Sequence, residues 1–336
     1  MNAHNIYNSK KVLITGGLGF IGSNLAKKLA SLGAEITLLD SLIPEYGGNL
    51  FNIKGIEDSV NVNISDIRDS FGMRHLVKHK DYIFNLAGQT SHIDSMADPV
   101  SDLEINAKAQ ITLLEACRKA GNHPKIIFAS TRQLYGKPVY LPVDEAHQIR
   151  PVDINGINKL AGEWYHALYH SVYGIPTCSL RLTNTYGPGM RIRDARQTFL
   201  GIWIRQLLEG TPISIYGDGE QLRDFNHVDD AVEALLLAGE KDEAVGNLYN
   251  LGGSEVISLN KLAELMLAIG MKSGIAGSIR HQPFPEGRKN IDIGDYYGSY
   301  KKIETELGWS PKVSMLEGLG NTIEFYSNHL QNYIDP

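Results

Sequence analysis

Residues 11–29, KVLITGGLGFIGSNLAKKL, join a short apolar run to an amphipathic one through Gly16, Gly19 and Gly22. The run reads as a strand buried on both faces, and the stretch after it as a helix that opens at the glycines. In such a turn each glycine has its own task. Gly16 permits the sharp change of direction, Gly19 lets backbone approach a pyrophosphate, and Gly22 lets the helix pack closely on the sheet. The helix N-terminus, entered through Phe20 and Ile21, offers unpaired amides and the positive end of its dipole to an anion. Asp40 then closes the next apolar run, where a carboxylate can accept hydrogen bonds from an adenosine ribose. It repels a 2'-phosphate, and no arginine follows it in residues 40–48, DSLIPEYGG, so the expected cofactor is NAD and not NADP.

Outward from this turn the first half alternates buried runs with helical patterns. Residues 11–15, 35–39, 82–86 and 125–129 read as strands; residues 21–33, 67–78 and 99–120 read as helices. A further helix is expected over about 158–173, leading into a strand at 177–182. This rhythm predicts an α/β fold, a doubly wound parallel sheet of Rossmann type with helices on both faces. After Tyr186 the texture changes, with closely spaced glycine and proline around shorter elements. The expected organisation is an NAD-binding domain over 1–185 with returning segments about 222–250, and a smaller C-terminal substrate lobe formed mainly by 186–336.

Composition narrows the partners. The 336 residues are 43% hydrophobic and 21% charged, which suits a chain with a full core, and a net charge of −6 without a basic face argues against nucleic acid. Cys117 and Cys178, the two cysteines, fall in a helical and a strand pattern and read as inert packing, with no metal-site spacing. Residues 1–10 contain no apolar stretch and no later run is long enough to span a bilayer, so the expected location is the cytoplasm, with no membrane partner.

With these landmarks the chain resembles an extended short-chain dehydrogenase/reductase of the nucleoside-diphosphate-sugar epimerase/dehydratase family, over about residues 11–319. ITGGLGFIG resembles its cofactor loop, Asp66 and Ile67 in SDIRD the pair that frames adenine, and Leu86, Ala87 and Gly88 the segment passing beside the cofactor. FASTRQLYG resembles the strand end bearing a catalytic hydroxyl, which falls on Thr131. The resemblance further implies that Asn184 in RLTNTYGPG, Arg223 in YGDGEQLRDF and Arg288 in PEGRKN bind the diphosphate of a nucleoside-diphosphate sugar; guanidinium forks suit phosphate oxygens. ELGWSPKVSMLEGL resembles the family's C-terminal signature.

One position departs from the family. Its chemistry uses Tyr-x-x-x-Lys, where the phenol exchanges the sugar's proton and the lysine lowers the phenol's pKa and holds the nicotinamide ribose. Residues 153–159 read DINGINK: Lys159 is present, but Asn155 stands in the tyrosine's place, and an amide cannot act as a base near neutral pH. Three explanations stand open: another group carries the proton, a tyrosine was replaced to trap substrate, or the protein binds NAD and a sugar nucleotide without turnover. His92, just after the cofactor strand, is the first candidate carrier because imidazole titrates near neutral pH; a loop histidine without a role is the alternative. The retention of Thr131 and Lys159 favours an active site, and the expected function is a nucleotide-sugar epimerase acting through a transient keto sugar. Decarboxylase, dehydratase or dehydrogenase chemistry of the same family remains the alternative. Arg132 and Gln133 occupy the positions of the Asp-Glu pair that sugar 4,6-dehydratases use, which argues against elimination. The resemblance also implies a homodimer paired through the helices at 99–120 and 158–173, with Leu160, Trp164, Ala167 and Leu168 on one face.

Overall fold

The computed structural model describes residues 4–196, 198–284 and 291–334. Six strands come first: β1 (Lys11–Thr15), β2 (Glu35–Asp40), β3 (Val60–Ile64), β4 (Tyr82–Asn85), β5 (Lys125–Thr131) and β6 (Thr177–Leu182). The lobe adds β7 (Asn184–Tyr186), β8 (Ile213–Tyr216), β9 (Leu222–His227), β11 (Val256–Ser258) and β12 (Ile279–Gln282), while β10 (Leu248–Asn250) returns to the first sheet. One seven-stranded sheet has the order β10-β6-β5-β4-β1-β2-β3, every pair in it parallel. The order reverses direction between β1 and β4, the switch point beyond whose carboxyl ends a doubly wound sheet holds its ligand.

Helices cover both faces because the central strands β1, β4 and β5 are buried along most of their length and must be shielded twice. On one side lie α1 (Phe20–Ser31) and α8 (Val228–Glu240), packed with β1, β6 and the lobe into a large apolar cluster that includes Val12, Leu25, Leu180 and Leu235. The other side holds α2 (Ser70–Leu76), α5 (Ala109–Ala120) and α6 (Ile154–Tyr173), with Leu13, Met73, Leu113 and Ile126 in a second cluster. The remaining labelled helices are α3 (His92–Ala97), α4 (Pro99–Leu103), α7 (Phe199–Leu208) and α9 (Leu259–Lys272). In the lobe β9 pairs with β7 and β11, and β8 pairs with β12.

Several boundaries differ from the sequence expectation. The helix expected over 99–120 is interrupted by a π turn at Glu104–Lys108, which holds Asn106 toward the cofactor-side loop. The helix expected from 67 starts at Ser70, because Asp69 accepts a hydrogen bond from the Phe71 amide and caps it there. β3 carries its exposed side chains in the alternation VNVNI, an edge strand too polar to stand out among buried runs. α6 begins at Ile154, four residues earlier than expected, since Asp153 caps it by accepting from the Gly156 amide at 2.7 Å.

Candidate active site

A cleft of about 590 Å³ runs along the carboxyl ends of the strands, between the sheet and the lobe, a size ordinary for a small-molecule site. Gly16, Gly19, Phe20, Ile21, Gly22, Asp40, Asp66, Ile67, Leu86, Ala87, Gly88, His92, Thr131, Asn155, Lys159, Asn184 and Arg223 all line it. Arg288 lies outside the described residues.

The dinucleotide end is built from backbone. Gly16 takes φ +69°, and a Cβ on Gly22 would stand 2.2 Å from the Gly16 carbonyl oxygen, so the turn closes only with hydrogen there. No side chain caps α1 and its first turn contains no acid, which leaves the amides to an anion. Asp40 is braced by amides of Leu18 and Leu42, 3.0 Å each; burial raises its pKa, against the lowering effect of those hydrogen bonds. Asp66 pairs with Arg68 through two contacts, 3.0 and 2.7 Å, and that hydrogen bonding lowers its pKa. The turn, the braced acid and the apolar Ile67 together fit NAD.

At the centre, Thr131 ends β5 and its Oγ1 accepts from the Gln133 amide at 3.2 Å. Lys159 is fully buried: Nζ donates to the Ala129 carbonyl at 3.1 Å and lies 5.1 Å from the centroid of the Phe128 ring. Burial lowers its pKa to about 8, with buried Asp102 pulling the other way. The helix carrying Lys159 is bolted to the sheet by Glu163, whose carboxylate takes Ser130 Oγ and both Nε and Nη2 of Arg181, at 2.7, 3.0 and 2.5 Å.

Asn155 is not a loose replacement. Its Nδ2 donates to the Gln89 carbonyl at 2.7 Å and to Asp102 Oδ2 at 3.0 Å, while Asn158 Nδ2 donates to Asp102 Oδ1 at 2.8 Å. A carboxylate with no exposed surface is thus satisfied by two amides from α6. Gln89 O also accepts from Asn106 Nδ2 at 3.0 Å, so one carbonyl ties α6 and the π turn to the cofactor-side loop.

His92 stands at the start of α3, its side chain about one-third exposed to the cleft. Its Nδ1 donates to Asp153 Oδ2, and Gln133 Nε2 donates to its Nε2. Asp153 therefore caps α6 with one oxygen and holds His92 with the other; although burial raises its pKa, the hydrogen bond and charge of His92 bring it below the usual carboxylate range. Sequence reasoning named His92 but missed Asp153, Gln133 and Asp102. Only Asp153 had a visible signal, an acid three residues before Gly156 at a helix start.

On the lobe, Asn184 Nδ2 donates to the Asp224 carbonyl at 3.1 Å and its Oδ1 accepts from Arg132 Nη2 at 3.2 Å. Arg223 is buried, donates to the carbonyls of Leu222 and Gly294, and has Asp292 at 3.7 Å. Its sequence neighbour Asp224 takes Thr183 Oγ1 and the amides of Gly253 and Gly298 instead. Both cysteines are buried and unpaired, their thiols pushed up to about 12 by burial. Among the described residues no cluster of His, Cys, Asp and Glu could hold a metal, and no helix is long and apolar enough to cross a membrane.

Comparison with known proteins adds to this geometry. Residues 12–252 match the model of the NAD dependent epimerase/dehydratase family. A putative UDP-glucose 4-epimerase of Methanocaldococcus jannaschii is 34% identical over 322 residues, covering 95% of this chain and 99% of that one. An epimerase structure from Methanothermobacter thermautotrophicus superposes with a TM-score of 0.91 at 27% identity, covering 98% and 96% of the two chains. A UDP-glucose 4-epimerase of Thermotoga maritima, solved with UDP-glucose, gives 0.87 at 32% identity over 95% and 99%.

Proposed function

Because the chain belongs to the NAD dependent epimerase/dehydratase family, we propose that it is an NAD-dependent epimerase of nucleoside-diphosphate sugars in which His92 exchanges the proton assigned elsewhere to a tyrosine. The observation that carries this reading is the placement of His92 in the cleft, held at one nitrogen by Asp153 and at the other by Gln133.

NAD would be held by the Gly16–Gly22 turn, Asp40 and Ile67, and would supply the hydride acceptor and donor for a sugar carbon. The protein supplies the rest. Asn184 and Arg223 take the diphosphate, leaving the sugar at the strand ends beside Thr131. The sugar hydroxyl takes the place of Gln133 Nε2 at His92 Nε2, which removes its proton as the carbon is oxidised, and Asp153 stabilises the imidazolium that results. Until the sugar arrives, the Gln133 amide N–H occupies the His92 Nε2 lone pair and keeps the neutral ring in place. Lys159 would add positive charge where it holds the nicotinamide ribose, and Thr131 Oγ1 hydrogen-bonds the reacting oxygen. After the keto sugar turns over, the same imidazolium returns the proton.

The Asp102 network supports a natural variant over a tyrosine replaced for trapping. A single replacement would not arrive with a buried carboxylate and a second amide matched to it. Arg132 and Gln133, in place of an acid pair, leave elimination without its proton donor, which favours epimerisation.

We further read the enzyme as a homodimer. Ile157, Trp164, Leu168 and Val172 make an exposed apolar stripe along α6, with Val100 and Leu103 exposed on α4; Leu160, expected on this face, instead packs inward against Leu134 and Tyr135. Free buried thiols and the cofactor suit a cytoplasmic setting.

The test is turnover of UDP-glucose, UDP-galactose, UDP-glucuronate and CDP-linked hexoses, followed by NMR. The protein should invert one of them, and His92→Ala and Asp153→Asn should each lose at least a hundredfold in kcat. Undiminished turnover in His92→Ala dismisses His92, and turnover confined to Asn155→Tyr would mean that the chain binds without reacting.

A further inference from the structure

Arg132 follows Thr131 directly at the carboxyl end of β5, and nothing in the chemistry above uses it. Its guanidinium lies over the ring of Tyr296, 4.6 Å from the centroid, and Nη2 donates to Asn184 at 3.2 Å. Nη1 is buried with no hydrogen-bond partner among the described residues, in a wall of the cleft. The neighbouring guanidinium of Arg223 feels it: burial first, then the charge of Arg132, lower the Arg223 pKa to about 10. Its facing acid, Asp292, is 3.7 Å away, and Asp224 is occupied by Thr183 and two amides. Two cations therefore share one wall, and the charges of Asp292, Asp295 and Asp224 offset the resulting strain at Arg223 only in part.

Such an arrangement costs free energy twice, through a buried donor left unpaired and through like charges held together. An anionic ligand that reaches the buried Nη1 and the second N–H of Nη2, whose first is held by Asn184, removes both costs, because the two nitrogens present parallel donors to a pair of oxygens. We infer that Arg132 is a further substrate-binding residue, which takes anionic oxygens of the nucleotide sugar between the diphosphate contacts and Thr131. The inference rests on the nucleotide-sugar reading above. The fork can receive outer oxygens of the diphosphate or a carboxylate borne by the sugar; a neutral sugar offers it only the former.

Calorimetric titration of the NAD-loaded protein with UDP, UDP-glucose and UDP-glucuronate separates the two sources. Arg132→Gln should weaken binding about tenfold to a hundredfold, as loss of a charged hydrogen bond does, with NAD affinity unchanged. An equal loss for all three probes assigns the diphosphate oxygens, and a loss confined to UDP-glucuronate assigns a sugar carboxylate. Unchanged affinity for every probe overturns the inference. Should Arg132→Gln fail to fold, Arg132→Lys decides: it keeps the charge but not the fork, so it should bind more weakly, and affinity equal to the parent overturns the inference. A parent protein that binds none of the three overturns the nucleotide-sugar reading itself, whereas binding indifferent to Arg132 overturns only this one.

Discussion

At residue 155 the difference between a phenol and an amide reorganises a whole neighbourhood. A tyrosine there would present an ionisable hydroxyl to the cleft; Asn155 turns both its donor contacts to Gln89 and Asp102, so its side chain becomes a strut. Lys159 keeps its place but loses the phenol it would activate. Its ammonium now rests on one carbonyl, an aromatic face and the distant charge of Asp102. The sign of the resulting pH dependence follows from a folded pKa of about 8 against 10.5 unfolded. Between those values the unfolded chain holds more protons, so this group makes stability rise with pH through that window and opposes folding below it. Lys159→Met should therefore be more stable at neutral pH, by at most about 3 kcal/mol, and should lack the rise. Urea unfolding at pH 7.5 and 9.5 measures it; a parent protein no more stable at the higher pH, with the variant unchanged, would refute the burial account.

The element that matters most is α6. Asp153 starts it, Gly174 ends it at φ 67°, and between them one side faces Asp102, the sheet and Arg181 while the other is left apolar and exposed. The buried Glu163–Arg181 pair, extended by Ser130 and by Tyr135 OH at 2.6 Å from Arg181 Nη1, fixes this helix to β5 and β6 and hence fixes Lys159. Removing one partner strands the other charge without solvent. Glu163→Ala should cost about 3–5 kcal/mol, read as a shift of the urea midpoint, and a loss under 1 kcal/mol would show the pair to be dispensable. Elements of this kind were legible from sequence in proportion to their burial. Residues 177–182, TCSLRL, match β6 to the residue, with five of its six side chains buried. β3 and the π turn escaped because an alternating edge strand and a one-residue slip in helical pitch leave almost no hydrophobic trace.

For the whole molecule, the cleft exists because the chain crosses from sheet to lobe and back: β7 and β9 lie in the lobe, while β10 returns to the edge of the main sheet beside β6. The same arrangement leaves α6 on an outer surface with Trp164 65% and Val172 59% exposed, apolar area that a second copy of the chain would cover. Trp164→Asp combined with Leu168→Asp should yield a monomer by sedimentation with NAD binding retained; a parent protein already monomeric at micromolar concentration would remove the dimer from the reading. By itself the sequence determined the doubly wound sheet, the dinucleotide turn and the residue types that line the cleft. Those are local requirements, met by glycine at a tight turn, apolar runs in doubly covered strands and a carboxylate at a strand end. Only the tertiary structure shows what surrounds the place of the missing tyrosine. The hydrogen-bond partners of Asn155, His92 and Arg132 come from segments up to 66 residues away, and no spacing in the chain records which side chains burial will bring within a hydrogen bond of one another.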